Sequence, residues 1–300
     1  MKEITLTNDL LKIVILPYGG IIKELWYNGI NVVLGHENSD SYLDNPWKIG
    51  ACIGRYAGRL SSSFTLENKT HKLVNKKGIQ LHGGSAGWDQ STWKIYDLYH
   101  GSTPHLTLKH RCIEENSGGH PGTIDVSLKY SLYLNKLIIE YKAITDKACP
   151  INITNHSYFN LSGAAELNDH NLMVNSAKTL ELDKNLMPTG KFKESFGTEF
   201  DRNKMRPIGK SRYDDCFILK NNTEIKASLS ANSTGIQMDV LTDQPSIVVF
   251  NPKELNGICF ETQKFPDSPN FPNFPNTIIK PKERYIQKTE FVFSKIKKTF

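Results

Sequence analysis

Three short segments of the 300-residue chain set proton-carrying side chains beside tight turns. The first is Leu81-His82-Gly83-Gly84, where an imidazole adjoins two glycines that permit close backbone approach to a ligand. The second, Thr154-Asn155-His156-Ser157-Tyr158-Phe159-Asn160-Leu161, interleaves hydrogen-bond donors and acceptors with aromatic rings. In the third, Glu261 follows the strand-like Gly257-Ile258-Cys259-Phe260 and leads through Thr262, Gln263 and Lys264 into Phe265-Pro266-Asp267. Taken singly, a histidine on a strand is usually a hydrogen-bonded structural residue and a glutamate after a strand is usually solvated. An imidazole and a carboxyl group brought together are what general acid–base chemistry requires.

Other local patterns carry less. Gly83-Gly84-Ser85-Ala86-Gly87 matches the G-x-S-x-G nucleophile elbow, with Asp125 or Asp146 and then His156 following in hydrolase order. That elbow needs a strand-to-helix turn, whereas residues 88–97 read as another strand approach. Gly209-Lys210-Ser211 resembles the end of a phosphate-binding loop, but the earlier glycine such a loop needs is replaced by Lys204. The nine histidines show no H-x-H or H-E-x-x-H spacing, so no local pattern supports a metal site.

The elements that must position these groups read as strands. Residues 123–134 alternate strictly, with Ile124, Val126, Leu128, Tyr130, Leu132 and Leu134 on one face and Asp125, Ser127, Lys129 and Ser131 on the other. Asn135-Lys136 then separates this run from a second, Leu137 to Ile144, which predicts an antiparallel hairpin because two residues cannot cross over to a parallel neighbour. Leu106, Leu108, His110 and Cys112 repeat the pattern, as do Ile236, Met238 and Val240, and Ile247 with Val249. No amphipathic helix of three turns and no βαβ rhythm is found, so the fold class is all-β, a single large antiparallel β-sandwich domain over residues 1–300 with few short helices. The Pro-, Asn- and Phe-rich stretch 266–276 is the most irregular, and a loop of that length in a compact domain is usually functional.

Composition excludes several classes. With 38% hydrophobic and 23% charged residues the chain is an ordinary globular protein, not a disordered or collagenous one. Basic residues exceed acidic ones, 37 against 31, but they are scattered, the densest run being Lys295, Lys297 and Lys298, which reads as solvated surface with no nucleic-acid partner. Five widely spaced cysteines without a C-x-x-C pair suit a reducing compartment. No apolar stretch reaches the ~18 residues of a membrane span, and the run Ile13 to Leu16 is too short for a leader. The expectation is cytoplasmic residence without a membrane partner; oligomeric state is not legible.

In order along the chain, the motifs resemble the aldose 1-epimerase (galactose mutarotase) family. The resemblance covers Tyr18-Gly19-Gly20, Val33-Leu34-Gly35, Ile53 to Leu60, Leu81 to Gly84, Pro121-Gly122, Thr154 to Leu161, Met187 to Gly190, Tyr213-Asp214-Asp215-Cys216-Phe217 and Glu261 to Asp267. It implies a β-sandwich that interconverts the anomers of free hexoses without cofactor or metal, with a small-molecule aldose as partner. By the same resemblance His156 is the general acid and Glu261 the general base, while Arg59, His82 and Asp214 contact sugar hydroxyls. Two positions depart from the family pattern: Gly58 stands where Asn is common and Asp215 where His is common.

Pyranose opening needs one proton delivered to the ring oxygen and another removed from the anomeric hydroxyl, so the expected starting state is a protonated His156 facing an ionised Glu261, one on each side of the acetal carbon. Asn155 or Gln263 are further candidate hydroxyl contacts, and Trp88, Trp93, Tyr158 and Phe159 are candidate stacking surfaces. Three rivals remain open: a non-catalytic carbohydrate-binding sandwich, a glycosidase using Glu261 with Asp214 or Asp267, and an epimerase of phosphorylated hexoses marked by an extra basic cluster.

Overall fold

Strict alternation at residues 123–134 becomes the ten-residue strand Ile124–Tyr133, whose apolar members are buried and which pairs antiparallel with Lys136–Thr145. The turn sits one residue earlier than the sequence suggests. Tyr133 pairs with Lys136, so Leu134 and Asn135 form the loop, with Leu134 exposed at φ 52°. Asn135 Nδ2 donates to Phe293 O at 2.5 Å and Lys136 bonds Glu290 at 2.9 Å, which ties that register to the neighbouring strand Tyr285–Lys295.

A computed structural model describes residues 1–163 and 166–296; Lys297 and Lys298 lie outside them. This hairpin supplies the third and fourth strands of a nine-stranded sheet ordered Lys94–Tyr99, His105–Cys112, Ile124–Tyr133, Lys136–Thr145, Tyr285–Lys295, Ile236–Thr242, Ala227–Ala231, His170–Val174 and Arg206–Pro207. A six-stranded sheet runs Tyr158–Phe159, Ile258–Gln263, Ser246–Phe250, Asp214–Leu219, Ser176–Leu182 and Pro188–Glu194. A four-stranded sheet is formed by Ile4–Thr7, Leu11–Leu16, Ile21–Tyr27 and Ile30–Asn31. Pairings between these strands are antiparallel, and the described helices are short 3-10 turns, as the all-β reading expects. No described helix is long and apolar enough to cross a membrane.

One apolar cluster joins the sheets. It takes Leu128, Leu229, Met238 and Phe291 from the nine-stranded sheet and Phe217, Ile247, Val249 and Phe260 from the six-stranded one, with Phe159 against Phe291 at 4.8 Å. Because side chains alternate along a strand, the residues between these core members in the six-stranded sheet face the other way, and that second face carries the candidate site.

The loop that carries the site's first residues is clamped by Arg55. Its guanidinium, 1% exposed, donates to Pro121 O at 2.8 Å, Gly122 O at 2.9 Å and Cys112 O at 3.2 Å. Replacing Arg55 by Met strands three buried carbonyls, each worth roughly 1–3 kcal/mol when unsatisfied. Urea unfolding should therefore show at least ~3 kcal/mol less stability for Arg55→Met; an unmoved midpoint would remove this clamp from the account.

Candidate active site

Glu261 lies on the strand Ile258–Gln263, directly across from Val248 and, beyond it, Cys216. The flanking rows are Cys259–Phe250–Asp214 and Gln263–Ser246–Ile218. Glu261 therefore has the apolar Val248 and Cys216 beside it, with Asp214 and Gln263 in the flanking rows. Over this face lies a narrow cleft, lined on the sheet side by Leu182, Asp214, Cys216, Val248, Glu261 and Gln263 and on the other side by Arg59, His82, Leu186 and Pro266.

His156 enters between two short strands, Thr154–Asn155 and Tyr158–Phe159, each held by its own partner strand. Its backbone is locked at both ends, N–H to Ala51 O at 2.9 Å and C=O from Gly50 N at 3.0 Å. The ring puts Nδ1 3.4 Å from Cys259 Sγ and Nε2 3.7 Å from Glu261 Oε1. Both side chains are nearly inaccessible, and Glu261 Oε2 has no hydrogen-bond partner. His82, at φ 54°, crosses His156 edge-on at 5.4 Å between ring centres. Arg59 binds Asp214 at 3.0 Å. The structure thus brings all five sequence-selected residues to one place.

Protonation differs from the sequence expectation. Burial, helped by the nearby Asp214 carboxyl and opposed by Arg59, pushes Glu261 up to about 8. Burial also lowers His156 to about 4, with the Lys48 ammonium acting in the same sense. At neutral pH the pair therefore favours a neutral carboxylic acid and a neutral imidazole in place of the ion pair. A dry cleft disfavours two separated charges, and at 3.7 Å the carboxyl and imidazole make no hydrogen bond to compensate. His82 is driven well below its usual range by burial and by the nearby His156, Arg59 and Lys48.

One proton on His82 can be located. The Gly58 N–H donates to Nδ1 at 3.2 Å, so a neutral ring carries its proton on Nε2. This bears on metal binding, because ligand atoms of His82, His156 and Glu261 fall within 4.8 Å of one another. Metal-bound histidines normally donate through their second nitrogen, whereas His82 accepts there. That leaves one imidazole and one carboxylate as lone-pair donors, a poor fit to a resident cation.

Several sequence candidates take structural roles. Trp88, Trp93, Tyr158 and Phe159 are each at most 2% exposed, and Trp88 packs on Trp93 at 5.9 Å, so none is a free stacking surface. The apolar partner lining the cleft is aliphatic instead: Leu182, Leu186, Val248 and Pro266. Asn155 is spent on Gly50 O and Ser157 N. Gln263 is fully buried with neither amide atom partnered, so it keeps free hydrogen-bonding capacity in the cleft. Ser85 of the elbow-like motif is exposed in a 3-10 turn and makes no triad.

The two family departures have different consequences. Gly58 has φ 79°, and a Cβ there would meet Pro266 Cγ at 3.0 Å and Gln263 Nε2 at 3.2 Å, so glycine is what lets the Pro266 loop close against the cleft. Asp215 alternates to the opposite face from Asp214 and takes no part in the lining. Sequence reasoning missed Lys48, which bonds the buried Asp89 at 2.6 Å and whose charge reaches both histidines. It sits in a coil between Pro46 and Gly50, with no motif to mark it.

Comparison with known proteins agrees with this geometry. The Aldose 1-epimerase family model matches residues 2–292. Galactose mutarotase from Homo sapiens is 32% identical, covering 98% of this chain and 94% of the relative. Aldose 1-epimerase from Escherichia coli is 29% identical over 87% of this chain and 84% of its own length. Among solved structures, galactose 1-epimerase from Lactobacillus acidophilus superposes with a TM-score of 0.88 at 27% identity, covering 98% of this chain and 94% of that one. An aldose epimerase homologue from C. elegans shares the fold, with a TM-score of 0.93 at 24% identity over 98% and 99% of the two chains. A match that spans the strands, the loops and the cleft-lining motifs alike leaves one assignment: this chain belongs to the aldose 1-epimerase family.

Proposed function

We propose that His156 and Glu261 are the acid–base pair of this aldose 1-epimerase, an isomerase that interconverts the α and β anomers of free hexoses, here of the glucose and galactose type, in a single domain. The observation that carries the reading is their 3.7 Å approach, with Glu261 lining a cleft that Arg59, Asp214, His82 and Gln263 also line and His156 packed directly behind it. The ring oxygen and the anomeric oxygen share one carbon, so a pair this close reaches both atoms of the hemiacetal.

Ring opening moves one proton from His156 to the ring oxygen and one from the anomeric hydroxyl to Glu261. It therefore ends with a neutral imidazole and a protonated carboxyl, the state that burial of the two groups favours. Ring closure on the other aldehyde face runs the same transfers backwards. Cyclic substrate shifts the shared proton to the imidazole, because a sugar hydroxyl donating to Glu261 stabilises its carboxylate and the ring oxygen accepts from imidazolium. Arg59, Asp214, the His82 Nε2–H and Gln263 supply donors and acceptors for the remaining hydroxyls. All five cysteines are buried free thiols, which supports residence in a reducing compartment such as the cytoplasm.

The rival readings lose specific support. Asp267 is engaged by Ser61 N, Ser61 Oγ and Asn270, which removes one proposed glycosidase carboxylate. Among the described residues lining the cleft Arg59 is the one cation, and Asp214 occupies it; Lys76 and Lys77 line the adjoining recess that shares Arg59.

Polarimetry of freshly dissolved α-D-glucose and α-D-galactose tests the reading, with pH as the variable. The mechanism needs exactly one proton on the pair. Below about 4 both groups are protonated and no base remains; above about 8 neither is, and no acid remains. Enzyme-dependent kcat/KM, corrected for the uncatalysed reaction, should be bell-shaped with limbs near those values. A rate that keeps climbing through pH 9 would refute Glu261 as the shared-proton carrier.

A further inference from the structure

A recess of about 590 Å³ lies on the outer face of the nine-stranded sheet and shares no residue with the lining of the catalytic cleft. Register builds it from residues far apart in sequence. Lys94 pairs with Lys109, Lys109 with Ser127, Ser127 with Lys142 and Lys142 with Ile286, forming one row across five strands. The small Ser127 leaves a hollow between Lys109 and Lys142. Beside it, Ile144 and Ile286 are 50% and 61% exposed, and Arg284 stands at the rim.

Charge in this groove is unbalanced. Arg111 is the one cation there with a carboxylate partner, Asp125 at 2.9 Å. Elsewhere on the same sheet Lys136 and Lys288 share Glu290. Lys94, Lys109, Lys142 and Arg284 form no ion pair with any described residue, and Lys109 rests on the Tyr96 ring at 3.1 Å. Lysines directly opposite one another destabilise a sheet, so Lys94 facing Lys109 is an arrangement that a bound anion would relieve.

We propose that this groove binds an organic polyanion with an apolar body, of the size and chemistry of a nucleoside di- or triphosphate: anionic groups over Ser127 among the lysines, apolar body on Ile144 and Ile286. The volume is that of a small-molecule site, and a concave hollow suits such a ligand better than a flat membrane does.

Isothermal titration of the full chain with ATP at low ionic strength tests this, with pyrophosphate and adenosine as charge-only and body-only controls. Expected is saturable one-to-one binding of ATP, weakening as salt rises, with pyrophosphate and adenosine each at least ~10-fold weaker. Lys94→Glu combined with Lys142→Glu should weaken ATP binding at least ~10-fold, since each lost charge-assisted contact is worth about that factor. Its mutarotation should stay at the wild-type rate, and Lys94→Gln with Lys142→Gln provides a milder pair should the reversal disturb folding. No saturable binding, equal binding by the charge-altered protein, pyrophosphate matching ATP, or sedimentation with phosphatidylserine vesicles in place of ATP binding would each overturn the proposal.

Discussion

Glu261→Gln should reduce the enzyme-dependent mutarotation rate at least ~10²-fold, the ordinary contribution of one positioned base, while leaving the fold intact. The amide has nearly the same shape and can still accept a hydrogen bond from substrate, so binding geometry survives; what disappears is a group able to take a proton from the anomeric hydroxyl. Stability gives an independent check. Glu261 is a buried carboxyl whose Oε2 has no partner, and an uncharged amide removes its ionisation burden. Thermal unfolding of Glu261→Gln should therefore occur at the wild-type temperature or above it. Low activity together with a raised or unchanged melting temperature assigns the loss to chemistry. Activity within a few-fold of wild type would end the role given to this residue.

How far the sequence alone reaches can be traced residue by residue. Period-2 burial is a local signal, so Ile124–Tyr133 and Ile236–Thr242 were legible to within a residue or so. The hairpin loop slipped to Leu134-Asn135 because its register is fixed by the strand Tyr285–Lys295, some 150 residues away, which no local pattern encodes. Residue types beside tight turns singled out His82, His156 and Glu261, while their roles, and Arg59 and Asp214 altogether, came only through the ordered motifs of a family. Aromatic rings misled in a systematic way: a buried Trp88 and a sugar-stacking tryptophan look alike in sequence, and only burial separates them.

Ionisation was legible least of all. Reference pKa values put the proton on His156 and the charge on Glu261, because those values describe water. Pairing across strands sets Val248 and Cys216 beside Glu261, and the resulting apolar surroundings reverse the order. The apolar surroundings are thus part of the chemistry: they rest the shared proton on Glu261, the arrangement in which ring opening ends, until a bound sugar draws it to His156.

His156 carries the matching prediction. His156→Ala should lower the enzyme-dependent rate at least ~10²-fold, but it also leaves a gap between His82, Tyr158 and Phe250, whose rings lie 5.4, 5.2 and 6.1 Å from the imidazole. A structural loss and a chemical one are therefore mixed in that variant, and His156→Gln, which fills most of the space, separates them. In His156→Gln the residual activity should lose its acid limb near 4, since the imidazole that titrates there is gone, and should rise through about 8, where Glu261, now the lone base, becomes ionised. Retention of the acid limb would assign it to another group, His82 being the nearest imidazole. Because the two residues pass a single proton between them, their losses should not add. His156→Gln combined with Glu261→Gln should be no more than a few-fold slower than the worse single variant, as groups that act as one unit behave, whereas a product of the two separate losses would show that each works alone and that the shared-proton mechanism is wrong.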